Sequence, residues 1–161
     1  MARQLSLPQH FKIVQMLQPQ TTNGALTTDV ISLKTAHKAW VVFEYTQAAG
    51  HATTPTLRQA TSVAGSTNKA GPSVAIWANE DTAATDTLVR QTDAASYAVA
   101  ADVKNKQVVF EIDPARLDMA NGYDCIYFTQ ATSSQATNFV SATAYLDTSY
   151  KQATPPSAII D

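Results

Sequence analysis

Short runs of alternating apolar and polar residues fill this chain, and no amphipathic helix of useful length competes with them. The stretch 106–148 sets the pattern. It reads Lys-Gln-Val-Val-Phe-Glu-Ile, then a connection, then Tyr-Asp-Cys-Ile-Tyr-Phe-Thr, and after a polar loop Phe-Val-Ser-Ala-Thr-Ala-Tyr-Leu. Strand side chains alternate between faces, so Val108, Phe110 and Ile112 share one face while Val109 and Glu111 take the other. In the next run Tyr123, Cys125 and Tyr127 oppose Asp124, Ile126 and Phe128. Both faces carry apolar groups there, which predicts a central strand covered on both sides.

Earlier segments repeat the theme. A first strand opens at Phe11, with Phe11 and Ile13 on one face. Residues 18–28, with Pro19 and Asn23-Gly24, read as a turn region. A short strand is expected over 30–34. A strong one covers 39–47, with Trp40, Val42 and Glu44 opposing Val41, Phe43 and Tyr45. Residues 54–63 read as extended, and Pro55 asks for an edge position or a strand start. Residues 64–72 read as a loop, 73–77 as a strand ending at Trp77, and 87–92 and 96–100 as short strands. Asp113 as N-cap and Pro114 at the first helical position predict one helical turn within 114–120. About eight to ten short strands spaced by turns predict an all-β, single-domain β-sandwich of jelly-roll-like type. An immunoglobulin-like sandwich is the alternative. Tyr123 stands two residues before Cys125, as in a tyrosine corner, but the partner cysteine is missing.

Composition narrows the role. Only 15% of the 161 residues are charged, against about 25% in a typical domain, and Ala, Thr, Ser and Gln fill the gap. A net charge of -2 gives neither a basic footprint for nucleic acid nor a polybasic membrane anchor. A weakly charged exterior suits flat contacts between protein subunits, because charges are costly to desolvate. The single cysteine, Cys125, excludes an intrachain disulfide and reads as a buried thiol rather than a nucleophile. The opening residues show no signal-peptide pattern, and no segment reads as a transmembrane span, so synthesis in a cytoplasm is expected.

The ends differ from the middle. Residues 1–10 read as an N-terminal arm, 11–148 as the sandwich domain, and 149–161 as an extended C-terminal arm. In the first arm Leu5, Leu7 and Pro8 lack a helical period, and Pro8 is expected to block a helix; Phe11 follows at the body's edge. In the second, Pro155 and Pro156 enforce a stiff course before the apolar pair Ile159 and Ile160. Leu5, Leu7, Phe11, Pro155, Pro156, Ile159 and Ile160 are therefore the candidate protein-interface residues.

No catalytic, cofactor or metal constellation emerges. His10, His37 and His51 lie in separate segments without ligand spacing. The Gly65–Gly71 stretch lacks the Gly-Lys-Ser/Thr of a phosphate loop, and Glu80, Asp81 and Asp86 match no calcium loop. Asp113, Asp118 and Asp124 bracket a turn, where capping explains the first two. The expectation is a protein that is not an enzyme and carries no cofactor.

Three passages carry a resemblance: Ser32-Leu-Lys-Thr-Ala-His-Lys-Ala-Trp-Val-Val; Val108-Val-Phe-Glu-Ile-Asp-Pro-Ala-Arg-Leu with the later Gly122-Tyr-Asp-Cys; and the ending Gln152-Ala-Thr-Pro-Pro-Ser-Ala-Ile-Ile-Asp. With them the chain resembles small virion structural proteins of tailed bacteriophages, in particular head decoration, or cement, proteins. The resemblance implies a β-sandwich that sits as a dimer or trimer on the capsid surface and bridges major capsid protein subunits, made in a bacterial cytoplasm. It transfers no functional residue. Two rivals stand beside it. One is a tail or head–tail connector component. The other is a carbohydrate- or cell-surface-binding sandwich, which would use Trp40 or Trp77.

Overall fold

A computed structural model describes residues 6–149 and 157–160. Its strands, in chain order, are β1 Phe11–Thr21, β2 Leu26–Thr27, β3 Ile31–Ser32, β4 Ala36–Thr46, β5 Pro55–Ala60, β6 Asn68–Ala70, β7 Ala75–Asn79, β8 Val89–Arg90, β9 Asn105–Ile112, β10 Cys125–Gln130 and β11 Phe139–Thr148. They form two antiparallel sheets. One has the order β1-β11-β4-β9-β7-β8; the other runs β2-β10-β5-β6, with β3 beside β2 on the same flank of β10. The chain is an all-β sandwich.

The inner faces follow from alternation. Val41, Phe43 and Tyr45 of β4 meet Val108, Phe110 and Ile112 of β9, with Ile126 and Phe128 of β10 facing them across the core. Phe43, Phe110 and Phe128 form the centre, each pair tilted edge-to-face, with centroids 4.9–5.9 Å apart. One polar chain crosses the core. The Tyr45 hydroxyl donates to Gln130 Oε1 at 2.8 Å, and Gln130 Nε2 donates to Thr53 Oγ1. Thr53 Oγ1 in turn donates to the Ala131 carbonyl. The Tyr45 hydroxyl, the Gln130 amide and the Thr53 hydroxyl thus each find a partner, as burial requires. The β10 strand is covered on both sides as expected: Cys125 and Tyr127 lie buried on its outer face with Ala60, under Val30 and Val63.

Several local expectations change. Strand β1 runs on through Pro19, inside the anticipated turn region. It is an edge strand, and its register slips between Gln15 and Leu17 and again before Gln20, so the missing Pro19 N–H interrupts no continuous ladder. Pro55 starts β5 but lies inside a sheet, paired to Gln130. A third strand, β6, occupies the anticipated 64–72 loop. It is only three residues long, Asn-Lys-Ala, and so carries no alternation signal. The backbone ladder to β5 holds it, with Arg58 Nη2 donating to Asn68 Oδ1 at 2.8 Å and Gln59 Nε2 to the Ala70 carbonyl at 2.8 Å. Residues 96–100 contribute only single bridges, Thr53 to Val99 and Thr56 to Ser96. The expected turn within 114–120 splits into two 3-10 turns, Pro114–Arg116 and Met119–Asn121. Asp113 caps the first by accepting from the Ala115 N–H at 2.9 Å, and Gly122, at φ 78°, closes the second. Tyr123 makes no tyrosine corner among the described contacts; its ring lies 4.1 Å beneath the Lys69 ammonium.

The described parts of both ends take defined positions. Leu7–His10 forms one helical turn, α1, with Pro8 in its first positions, where its missing N–H costs nothing. Near the other end, Ala158 is 6% exposed and packs on the main core, and its carbonyl accepts from the Ser32 N–H at 2.7 Å. The C-terminal segment is therefore fastened to the domain itself at that point.

Candidate interface on the outer sheet face

Register converts alternation into a surface. The outward row through β1, β11, β4 and β9 is Ile13, Tyr145, Trp40, Glu111; the next row is Gln15, Thr143, Val42, Val109, reaching Trp77 on β7 and Arg90 on β8. Strands β4 and β9 are third and fourth of the six, so the Val42–Val109 pair sits in the middle of the sheet. Phe11 closes one end, edge-on to Trp40 at 5.8 Å, and α1 carries Leu7 over the same side. Leu7, Phe11, Trp40, Val42, Val109 and Tyr145 line a shallow hollow of about 290 Å³. Every one of these side chains is apolar or aromatic. Leu7 and Ile13 are exposed. Phe11, Trp40, Val42 and Tyr145 are half-buried, and Val109 is buried.

Several of its charges pair within the molecule. Glu111 pairs with Lys38 and accepts from the Trp77 indole N–H at 3.3 Å. The Lys38 ammonium beside it holds the Glu111 carboxyl below its ordinary range, against a smaller opposing effect of burial and with help from Trp77. The Lys38 ammonium lies 5.5 Å from the Trp40 ring, and the Arg90 guanidinium lies 5.6 Å from that of Trp77 while pairing with Asp93. Ser141, Thr143, Gln107 and Gln15 form a polar margin, with the exposed Glu44 between Ser141 and Gln107. An apolar, aromatic centre inside a polar rim is the anatomy of a protein contact surface.

A second polar cluster has a structural explanation. The Lys106 side chain points inward from β9 and is fully buried. Its ammonium donates to the Ala100 carbonyl at 2.6 Å and to Asp102 Oδ1 at 2.7 Å, and lies 3.2 Å from Glu80 Oε2. The Tyr97 hydroxyl donates to Glu80, and burial, followed by that carboxylate, pushes the phenol far above its usual pKa. These contacts tie the loop before β9 to the body. Among the described residues no group of three or more His, Cys, Asp or Glu side chains gathers as a metal would need. No helix among them is long and apolar enough to cross a membrane.

The anticipated interface residues divide. Leu7 and Phe11 join the outer face. Ile159 and Ile160 stand beside β3 in the opposing sheet, at 50% and 69% exposure, just beyond the Ala158 anchor. Leu5, Pro155 and Pro156 lie outside the described residues. The larger part of the face, Trp40, Val42, Val109, Tyr145 and Trp77, was not anticipated as a unit. The signal was present strand by strand, as apolar residues at outward positions, but only the strand order adds them together.

No protein-family model matches the sequence, and no curated protein matches it. Solved structures align at low identity. The SPBc2 prophage-derived protein YomS aligns at 9% identity over 84% of this chain and 91% of that one, with a TM-score of 0.47. The coat protein of Tobacco streak virus aligns at 12% identity over 94% of each chain, with a TM-score of 0.36. The CBM22-1–GH10 modules of xylanase 10B from Clostridium thermocellum align at 8% identity over 91% of this chain and 28% of that one, with a TM-score of 0.32. Alignments at this level assign neither a family nor an activity.

Proposed function

We propose that this protein is a structural component of a virion that binds the outside of a capsid and stabilises it by bridging major capsid protein subunits. It acts by adding buried surface and transforms no molecule. The observation that carries the reading is the pair of separate apolar surfaces on opposite sheets: the outer face around Val42 and Val109, and Ile159–Ile160 beyond the Ala158 anchor. A bridge needs two contact regions, and a rigid sandwich keeps them apart. Burying each isoleucine on a neighbour would contribute about 1.5–3 kcal/mol, and repetition over a symmetric shell multiplies small terms. The resemblance to head decoration proteins points the same way.

The carbohydrate-binding alternative finds less support. Sugar hydroxyls need hydrogen-bonding partners, and the hollow beside Trp40 offers only hydrocarbon and ring surface. The Trp77 indole N–H is already engaged by Glu111. Quantitative proteomics of purified particles tests the proposal. A copy number on the scale of the capsid subunits supports decoration, and one matching a connector ring favours the tail or head–tail role. Absence from the particle refutes a virion role altogether. With particles in hand, an Ile159→Asp/Ile160→Asp double variant should lose binding while its melting temperature stays within about a degree of the parent, as expected for exposed positions.

A further inference from the structure

We infer that Asn23 is a site of spontaneous deamidation, in which the Gly24 backbone nitrogen closes a succinimide ring on the Asn23 side chain, and that Asn121, in the same dipeptide, is held out of this reaction by the fold. The inference does not depend on the role proposed above.

The chemistry balances within the chain and water. The Gly24 amide nitrogen gives up its proton and attacks Cγ of Asn23. A C–N bond forms, the Cγ–Nδ2 bond breaks, and Nδ2 leaves as ammonia with that proton. Water then opens the ring at either carbonyl, giving aspartate or isoaspartate. Nothing is oxidised or reduced. A following residue without a side chain favours ring closure, because a Cβ there crowds the approach. Of the six asparagines, Asn23 and Asn121 precede glycine, whereas Asn68, Asn79, Asn105 and Asn138 precede Lys, Glu, Lys and Phe.

Both Asn-Gly pairs are exposed, so solvent access does not separate them. Hydrogen bonds do. Among the described residues no partner engages the Asn23 side chain or the Gly24 N–H, and a Cβ on Gly24 would meet nothing within 4 Å. The chain is fastened on either side of this link. The Thr22 carbonyl accepts from the Ser133 N–H at 2.7 Å, the Thr22 N–H donates to the Asn138 carbonyl at 2.8 Å, and Leu26 pairs with Gln130. The Thr132 hydroxyl donates to the Asn23 carbonyl at 3.0 Å. That carbonyl belongs to the peptide whose nitrogen reacts, so the bond stabilises the anion left when the proton departs. Asn121 is the reverse case. Its Nδ2 donates to both Asp118 carboxylate oxygens at 2.9 Å, and the Gly122 N–H donates to the Met119 carbonyl at 3.0 Å. Leaving group and nucleophile must each give up a partner, and the Asp118 charge opposes a second negative charge beside it.

The test ages the full chain at mildly alkaline pH and follows the tryptic peptides carrying Asn23 and Asn121 by mass spectrometry. Electron-transfer fragmentation separates isoaspartate from aspartate. In the folded protein Asn23 should convert at least about tenfold faster than Asn121, the factor for first breaking one hydrogen bond to a charged group. In guanidinium chloride the two rates should converge, since only the fold sets them apart. Gly24→Ala should suppress conversion at Asn23. Asp118→Ala should speed conversion at Asn121 and leave Asn23 unchanged. The parent compared folded and unfolded needs neither variant, so a variant that fails to fold by circular dichroism leaves the test intact. An Asn23 that ages no faster than Asn121 in the folded chain overturns the inference. So does a rate ratio that survives unfolding, or aspartate formed without isoaspartate, which would mean direct hydrolysis by water.

Discussion

Placing a carboxylate at Ala158 probes whether the C-terminal segment is fastened to the domain or hangs free. The residue is 6% exposed, packs on the core, and accepts the Ser32 N–H at 2.7 Å. Asp there cannot keep its charge in water while the methyl's place is kept, since burying an ionised group without a partner costs far more than the site contributes. The cheapest response is for residues around 158 to let go. The cost of Ala158→Asp is therefore capped by what the anchor is worth. One buried methyl contributes about 0.8 kcal/mol. The hydrogen bond adds about 0.5–1.5 kcal/mol. Ordering the segment subtracts part of the total. The expected loss is about 1–2 kcal/mol, and at roughly 2–4 °C per kcal/mol for a chain of this size the melting temperature should fall by about 2–8 °C. Ile160→Asp, two residues on at 69% exposure, is the matched control and should move it by less than about 1 °C. Differential scanning calorimetry of the two variants against the parent decides. Equal effects, or no effect from either, would refute the anchor and restore a free arm.

Two further perturbations test other parts of the fold. A Cβ on Gly71 would stand 2.5 Å from Leu57 Cγ and 2.8 Å from the Leu57 carbonyl oxygen, whereas one on Gly24 meets nothing within 4 Å. Gly71→Ala should therefore lose about 1–3 kcal/mol in denaturant titration while Gly24→Ala stays near the parent, and matching midpoints for the two would contradict the close packing at β5. Glu111→Gln addresses acid stability. Because Lys38 lowers the folded-state pKa of Glu111, the pair's contribution is present above the unfolded value of about 4.3 and is lost as pH falls through the folded value. At neutral pH the parent should exceed the variant by no more than about 1 kcal/mol, as for a partly exposed pair. The difference should close below about pH 4; a gap that stays constant from pH 7 to pH 2 would mean that this carboxylate does not couple to folding.

How much of the site was legible depends on how far each signal reaches along the chain. The alternation in residues 39–47 and 106–112 set Phe43 and Phe110 on one face of their strands and Trp40, Val42 and Val109 on the other, and the structure buries the first pair. Phe11 and Ile13 were assigned a common face as well. What stayed hidden was that these faces are one face. Strand β11, from the far end of the sequence, lies between β1 and β4 and sets Tyr145 beside Trp40, whereas Trp77 comes from β7 on the other flank of β9. A three-residue strand such as β6 gave no period to read, and α1 was missed because Pro8 was weighed as a breaker rather than as a first-turn residue.

By itself the sequence determined the class of fold, the strands with a buried side, the capped turn at Asp113 and the two-sided burial of β10. Those properties come from neighbours two to four residues apart, where side-chain direction follows from backbone geometry alone. Only the tertiary structure decided which strands lie side by side, that Ala158 is fastened to β3, and that Lys106, a cation in a strand, is held inside by Ala100, Asp102 and Glu80. The reason is physical: strand pairing uses backbone groups that every residue carries, so the order of strands is selected by how well whole faces bury together, a sum that no local window contains.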